Sequence, residues 1–393
     1  MEDNMKGKIG QVTLYDYNYG SALQCYATQQ VVRSLGYDCV LLRQRYNSEF
    51  SRKLCYLFKT VSKSVAYPAY AAEFMRMIQS QRKKALPMMT DRDFSGIRKF
   101  VDEDITSVSL TSSQMHSIAR SKEYSAFLSG SDQVWNGTWF LRNSSYFLKF
   151  APGDKRIAWA PSFGTDHIAS YNKRRFAKDI AGFRFLSARE TSGVRIIGEL
   201  TGRTATRIID PVLQLTPQRW RELYRAKSTV SPHPKERYVF CCFLNEPSEA
   251  ALGYIDDCIR NGLSVTAFAS NYSSLSERPH TVFAGGGPWE YLDLLDGSEL
   301  VCTDSFHATA FALLFHKKMR TFRRNYTHSS DQSERIISLL TNVNMSGCFS
   351  DDRSPSGMPE GPLDFEFSDI VLEKERKKAA EFLGAALEGY AVL

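Results

Sequence analysis

Along most of the chain, short continuous apolar runs alternate with longer stretches in which apolar positions recur every three or four residues. The first pattern reads as buried strands and the second as amphipathic helices. The opening predicts a strand from Lys8 to Leu14, a loop from Tyr15 to Gly20, a helix from Ser21 to Leu35 stopped by Gly36, and a strand from Asp38 to Leu42. That is a βαβ unit. Tyr124 to Leu128, Arg156 to Ala160, Phe185 to Ala188 and Thr206 to Ile209 predict further strands, and each delivers polar residues at its carboxyl end. In the second half the runs predict strands Arg237 to Phe243, Ser264 to Phe268, Thr281 to Ala284, Leu300 onward and Met319 to Phe322. Helices fall between them at 248–261, after Gly285–Gly287 to Asp296, through Phe315, and from Ser330 to Leu340.

Strands alternating with helices predict an α/β fold with two parallel, doubly wound, Rossmann-like sheets. Leu215 to Glu236 carries Pro217, Ser231-Pro232 and His233-Pro234 and reads as the connection between them. The expected division is a first domain over 1–232, a second over 233–362, and a helix within 363–393 that crosses back to the first domain. The first βα loop has too few glycines for a GxGxxG fingerprint, so no nicotinamide or flavin is expected.

A length of 393 residues with 43% hydrophobic and 24% charged content is ordinary for a globular chain of two domains. The net charge of +7 is concentrated: Arg43 to Lys84 holds ten Lys/Arg against two acidic residues, while the remainder has 40 basic and 41 acidic. In that segment the charges interleave with Leu54, Tyr56, Leu57, Phe58, Val61, Val65, Tyr67, Tyr70, Phe74, Met75 and Met77. A basic helical insertion over 43–120 is expected. It is either a solvated face covering the core or a surface for an anionic membrane or acidic substrate. No basic stripe elsewhere matches it, so nucleic acid is not an expected partner. The eight cysteines show no CxxC or Cys/His spacing, and Cys39, Cys241, Cys242 and Cys302 fall in strand-like runs, as packing residues do. With no apolar h-region at Met1 and no membrane-length apolar run, the expected location is cytoplasmic.

The densest chemistry lies in Leu300 to Phe315. An apolar strand there runs into Thr303-Asp304-Ser305-Phe306-His307 and then an apolar helix. In open α/β sheets such strand ends face the ligand crevice, and the next helix's first turn presents N–H groups that suit phosphate or carboxylate. His307 would stand beside that anion site, and an imidazole titrates near neutrality. Each candidate has a plainer alternative: Asp304 or Ser305 as a helix cap, Asp132 as a turn former, Arg189-Glu190 as a surface ion pair. Asn18 and Gly20 would then only shape a helix start, and Trp135 and Phe163 would be core instead of stacking on a sugar.

Five segments, namely Tyr17-Asn18-Tyr19-Gly20, Gly130-Ser131-Asp132-Gln133-Val134-Trp135-Asn136, Ala188-Arg189-Glu190, Ile209-Asp210-Pro211 and Thr303-Asp304-Ser305-Phe306-His307, occur in order over roughly residues 8–340. In this the chain resembles the polysaccharide pyruvyl transferase family. The resemblance implies a GT-B-like pair of facing Rossmann-type domains and transfer of pyruvate from phosphoenolpyruvate, as co-substrate, to a sugar as a ketal. It implies catalytic roles for Asp132, Arg189 and His307. Donor contacts are expected from Arg189, Asp304, Ser305, His307 and Arg323, and acceptor contacts from Asn18, Tyr19, Gly20, Ser131, Asp132, Trp135, Asn136, Ser162 and Phe163. Where many relatives have Arg-Leu-His this chain has Ser305-Phe306-His307. Either Arg323 or Arg324 supplies the missing charge, or fewer charges hold the donor, or the donor differs.

Such a transfer needs a proton for the methylene carbon, removal of protons from the attacking hydroxyls and stabilisation of the anionic groups. A guanidinium fork and a helix amino terminus would serve phosphoenolpyruvate. The expected acceptor is a sugar of a cell-surface glycan precursor, lipid-linked in one form, with the basic insertion docking at the inner membrane face. Neither a metal nor a cofactor is expected, since no acidic pair has convincing magnesium spacing. The runner-up is a glycosyltransferase using a nucleotide sugar, with its nucleotide near Asn245 and Gly285–Gly287. A non-catalytic carbohydrate-binding protein is the third reading.

Overall fold

The computed structural model describes residues 5–45, a few positions between 60 and 71, and 89–138, 143–230, 234, 236–324, 331–351 and 363–389. Most of the basic segment Arg43 to Lys84, and part of the connection at 230–236, lie outside the described residues. In the first sheet β1 (Lys8–Val12), β2 (Asp38–Gln44), β3 (Ser107–Leu110), β4 (Tyr124–Ser129) and β5 (Arg156–Ala158) stand in the order β3-β2-β1-β4-β5, all parallel. β1 and β2 are buried over most of their length because both faces of the sheet are covered. β6 (Ser187–Ala188) and β7 (Thr206–Arg207) pair with each other and continue past β5 through an Ile157–Phe185 bridge.

The second sheet, β8 (Tyr238–Cys242), β9 (Ser264–Phe268), β10 (Thr281–Ala284), β11 (Leu300–Thr303), β12 (Lys318–Phe322) and β13 (Phe349–Ser350), has the order β10-β9-β8-β11-β12-β13, again all parallel. Both sheets thus reverse direction beside their first strand, at β1/β4 and at β8/β11. The crevice outside the carboxyl ends of those strands is where such sheets take ligands. Two Rossmann-like sheets meeting through these ends are a GT-B-like, two-domain α/β fold.

The helices in chain order are α1 (Tyr19–Ser34), α2 (Asp91–Asp104), α3 (Ser112–Arg120), α4 (Ser170–Ala181), α5 (Thr191–Thr201), α6 (Pro211–Gln214), α7 (Pro217–Lys227), α8 (Glu249–Arg260), α9 (Ser273–Ser276), α10 (Pro288–Gly297), α11 (Phe306–Leu314), α12 (Glu334–Asn342) and α13 (Phe365–Leu387). The stretch 91–120, expected as the polar end of an insertion, instead forms α2, edge strand β3 and α3. α2 is capped by Thr90 and buries Ile97, Phe100 and Val101, a stripe masked in the sequence by the surrounding charges. No helix among the described residues is long and apolar enough to cross a membrane. The described cysteines are free and buried.

One hydrophobic cluster spans both halves, from Tyr19, Tyr26 and Phe100 to Phe240, Trp289, Tyr291 and Phe311. Trp289 packs edge-on against Tyr26 at 5.3 Å and Phe100 at 5.0 Å, and its Nε1 donates to Asp104 at 2.8 Å. Tyr19 stacks on Tyr291 at 5.2 Å. An apolar seam of this kind holds the two sheets at a fixed separation more firmly than a polar interface would. α13 closes the molecule by laying Ala379, Phe382, Leu383 and Ala386 on Ile9, Val32, Cys39 and Trp159 under the first sheet.

Candidate active site

The strand ends on the two sides of the seam put charge where the sheets face each other. After β4 the chain turns sharply through Ser131 and Asp132, the latter in the left-handed region at φ +59, which Asp tolerates better than most residues. The turn is held by Ser131 Oγ donating to the Ala160 carbonyl at 2.8 Å, and by the Asp132 carbonyl accepting from Val134 and Ser162 N–H, each at 2.8 Å. β6 delivers Arg189 and Glu190, and β7 leads to Asp210, whose Oδ1 caps α6 by accepting from Val212 N–H at 3.1 Å. His307 comes from the opposite side, in the first turn of α11.

Arg189 is the hub. Its Nη1 donates to Asp210 Oδ2 at 2.5 Å, its Nη2 lies 3.8 Å from Asp132 Oδ1, and its Nε lies 3.9 Å from Glu190 Oε2. The guanidinium carbon sits 4.3 Å from the centroid of the Phe306 ring, a cation–π arrangement. His307 Nε2 is 3.7 Å from the same Asp210 oxygen. Burial drives the Asp210 carboxyl upward, but the neighbouring His307 imidazole and the Arg189 charge outweigh it and hold the group well below the usual carboxylate range. For Arg189 burial alone would lower the pKa; Asp210, Asp132 and Glu190 together raise it. Both groups are therefore ionised across the working pH range.

Gly20, in the first turn of α1, is shaped to this histidine. A methyl group built on it would lie 2.1 Å from His307 Nδ1. The helix start and the imidazole are in direct apposition across the seam, and only glycine leaves the space.

Several buried polar atoms at this point lack a hydrogen-bond partner: Arg189 Nε and Nη2, His307 Nε2 and Glu190 Oε2. Such atoms are rare in folded chains, and each costs about 1–3 kcal/mol when left unsatisfied. Grouped as two guanidinium donors and an imidazole nitrogen at the amino terminus of α11, they describe a receptor for an oxyanion. A cleft lined by Arg189, Asp210, Phe306, Arg335, Leu339 and Leu372 among others opens onto the Arg189 side of this group.

The structure brings Asp132, Arg189 and His307 together as expected, with Ser131 Oγ 3.4 Å from Asp210 Oδ2. It places several other expected contacts elsewhere. The Asp304 carboxylate accepts from Leu244 N–H at 2.7 Å and Asn245 N–H at 3.1 Å, with Arg324 Nε 3.4 Å away, so it fastens the ends of β8 and β11 to each other. Burial pushes its carboxyl up. Ser305 caps α11 through Ala308 N–H. Arg323 turns outward to pair with Asp331 at 2.5 Å.

On the acceptor side, Tyr19 donates to Asp93 at 2.7 Å and to the Gly286 carbonyl at 3.0 Å inside the seam. Trp135 and Phe163 are fully buried; Trp135 stacks on Phe147 at 5.6 Å and donates Nε1 to the Tyr146 carbonyl, so neither ring is open to a sugar. Asn136 accepts from Thr138, and Ser162 donates to Glu190 at 3.1 Å, both as internal braces. Asn18 caps α1 by accepting from Ser21 N–H. Asp210 and Glu190 stand in two of the five segments that carry the resemblance, yet neither was given a role at the site, and Arg335 was not marked at all. Asp210 had a signal, a polar residue at a strand end, but Asp210-Pro211 also reads as a simple helix start. Among the described residues no group of His, Cys, Asp and Glu has the arrangement to hold a metal ion.

A family model described as polysaccharide pyruvyl transferase matches residues 18–326. No curated protein matches the chain. Among solved structures, a putative UDP-N-acetylglucosamine 2-epimerase from Listeria monocytogenes is similar at 8% identity and a TM-score of 0.48, over 98% of this chain and 92% of that one. The E. coli ADP-heptose LPS heptosyltransferase II is similar at 10% identity and 0.41, over 97% and 98%. A Thermobaculum terrenum O-GlcNAc transferase mutant gives 11% and 0.43; this chain is covered to 98% and spans 66% of that one. At these scores the likenesses add nothing to the strand order, which assigns the fold by itself.

Proposed function

Since the chain belongs to the polysaccharide pyruvyl transferase family, we propose that it moves pyruvate from phosphoenolpyruvate onto two hydroxyls of a sugar in a polysaccharide or its precursor, closing a ketal. The observation that carries this reading is the set of unpartnered buried donors on Arg189 and His307 at the amino terminus of α11, facing the Asp132 turn. A donor with a carboxylate and a phosphate satisfies those N–H groups, and a sugar hydroxyl is a natural partner for a buried carboxylate.

In the proposed sequence His307 passes a proton to the methylene carbon of phosphoenolpyruvate, which becomes the methyl group. The electron pair of the double bond forms the new C–H bond and leaves an oxocarbenium-like centre. One sugar hydroxyl adds to that carbon as Asp132 takes its proton; a second hydroxyl then adds, its proton passing to the imidazole that His307 has left neutral, as phosphate departs with the C–O bonding pair and takes up the proton held on Asp132. Asp210, ionised and with its Oδ2 3.7 Å from Nε2, orients the ring by its charge and leaves that nitrogen's hydrogen bond for the donor. Arg189 holds an anionic group of the donor through Nε and Nη2.

Nothing in the Gly285–Gly287 loop favours a nucleotide sugar. Gly286 N–H donates to Asp93 and Gly287 N–H to Glu290, and the Gly286 carbonyl lies against Gly96 of α2, so these amides are already engaged. The test is phosphate release from phosphoenolpyruvate with a panel of free and lipid-linked sugar acceptors, for wild type and His307→Ala. Acceptor-dependent release that vanishes in the variant is the expected result. Release with no acceptor in the panel, or a variant as active as wild type, refutes the reading or the role of His307.

A further inference from the structure

The cation at the centre of the site is outnumbered. Arg189 lies within 4 Å of three buried carboxylates, those of Asp210, Asp132 and Glu190. Before any ligand arrives, the balance of this group is negative. A donor bearing both a carboxylate and a phosphate, seated on Arg189 alone, would meet repulsion at short range in a desolvated site, where like charges are felt most strongly. A second fixed cation must therefore stand on the cleft side of Arg189.

Two further arginines line that cleft. Arg207 is bound to Glu375 at 2.5 Å in the cleft wall. Arg335, in the first turn of α12, is buried, and its guanidinium carbon lies 5.6 Å from the centroid of the Phe306 ring, the same ring that carries Arg189 at 4.3 Å. Phe306 precedes His307 and opens α11. The two guanidinium groups thus share one aromatic support beside the helix amino terminus. With the Gln133 amide turned so that its oxygen faces Arg335, that oxygen accepts from Nη1 at 3.1 Å and Nη2 at 3.0 Å, and Gln332 accepts from Nε and Nη2 at 3.4 Å, which holds this arginine beside the residue following Asp132 on the opposite domain.

We propose that Arg335 is the second cation of the donor site and binds one of the two anionic groups of phosphoenolpyruvate while Arg189 and the first turn of α11 bind the other. The proposal rests on the donor reading given above. Arginine suits this place because its planar fork takes two oxygens at once and lies flat against a ring, which lysine does not do.

The experiment is calorimetric titration of the full chain with phosphoenolpyruvate for wild type, Arg335→Gln, Arg335→Lys and Arg323→Gln, with thermal unfolding of each. Arg335→Gln is expected to weaken binding at least tenfold, Arg335→Lys by at least threefold because the fork is lost while the charge stays, and Arg323→Gln by less than twofold. KM for phosphoenolpyruvate should rise in step, with KM for the acceptor unchanged. Should Arg335→Gln not fold, the lysine variant carries the test. Binding within twofold of wild type in the folded Arg335 variants, or a larger loss at Arg323, overturns the proposal while leaving the donor reading intact. A wild-type chain that takes up no phosphoenolpyruvate overturns both.

Discussion

Gly20→Ala sets two effects against each other, and their magnitudes decide the outcome. In a helix, alanine is favoured over glycine by up to about 1 kcal/mol. Here the new methyl group would lie 2.1 Å from His307 Nδ1, 2.3 Å from Cγ and 2.7 Å from Cβ. Against an ordinary contact of 3.4 Å, the shortest of these is 1.3 Å too close. The imidazole cannot easily retreat, because α11 is buried along its whole length and Phe306 beside it is packed under Arg189. Overpacking of this kind costs about 1–3 kcal/mol. The net expectation is a variant between unchanged and about 2 kcal/mol less stable, with His307 displaced by about 1 Å, a misplacement that costs about a hundredfold in rate. Urea unfolding and initial rates of phosphate release measure the two quantities. A variant that is more stable than wild type with unaltered kcat would refute the close apposition of α1 and His307.

Asp210→Asn should destabilise the fold by about 3 kcal/mol or more at neutral pH, since it strips the closest counter-charge from buried Arg189. Because the Asp210 carboxyl is held below its unfolded value, its contribution is complete above about pH 4 and fades as pH falls below that; the variant should therefore show a shallower acid limb in stability against pH. Asp304→Ala should cost at least about 2 kcal/mol, by orphaning the N–H groups of Leu244 and Asn245, with phosphoenolpyruvate affinity unchanged in the folded protein; a selective loss of donor binding would restore Asp304 to the donor site. Trp135→Phe should lower stability through the lost Tyr146 hydrogen bond and leave KM for the acceptor alone; a raised KM at unchanged stability would mean the ring does meet the sugar.

Strands were the most legible part of the fold, because a short run rich in apolar and β-branched residues between turn signals marks a strand even at a sheet edge such as β10. β9 and β10 have the expected ends, and β1, β4, β8 and β12 differ from them by no more than two residues. α2 and β3 were illegible for the opposite reason: acidic and basic residues surround Ile97, Phe100 and Val101, and the half-buried strand is only four residues long. At the site, residue type and strand-end position marked Asp132, Arg189 and His307, but could not tell a side chain facing the crevice from one facing the core. Trp135 and Phe163 occupy the same kind of position as Asp132 and point the other way. Arg335 carried no signal, since nothing in its neighbours along the chain distinguishes it from a surface arginine; only folding brings it to Phe306.

The apolar seam explains how a site split between two sheets stays assembled. Asp132, Arg189 and Asp210 belong to the first half and His307 to the second, so a small rotation of one sheet on the other would open the 3.7 Å approach of His307 to Asp210. Charge attraction alone would hold this weakly, because the first half's group is already internally paired through Arg189 and Asp210. The restraint is instead supplied nearby by apolar area: Tyr19 one residue before Gly20, Phe306 one residue before His307, and the Tyr26, Trp289 and Phe100 cluster behind them. Each residue at the point of apposition is thus flanked by one committed to the seam. The cleft beside α12 and α13, where the lining changes from Leu339 and Leu372 to arginine, opens onto Arg189 and Asp210 from the outer side of the seam.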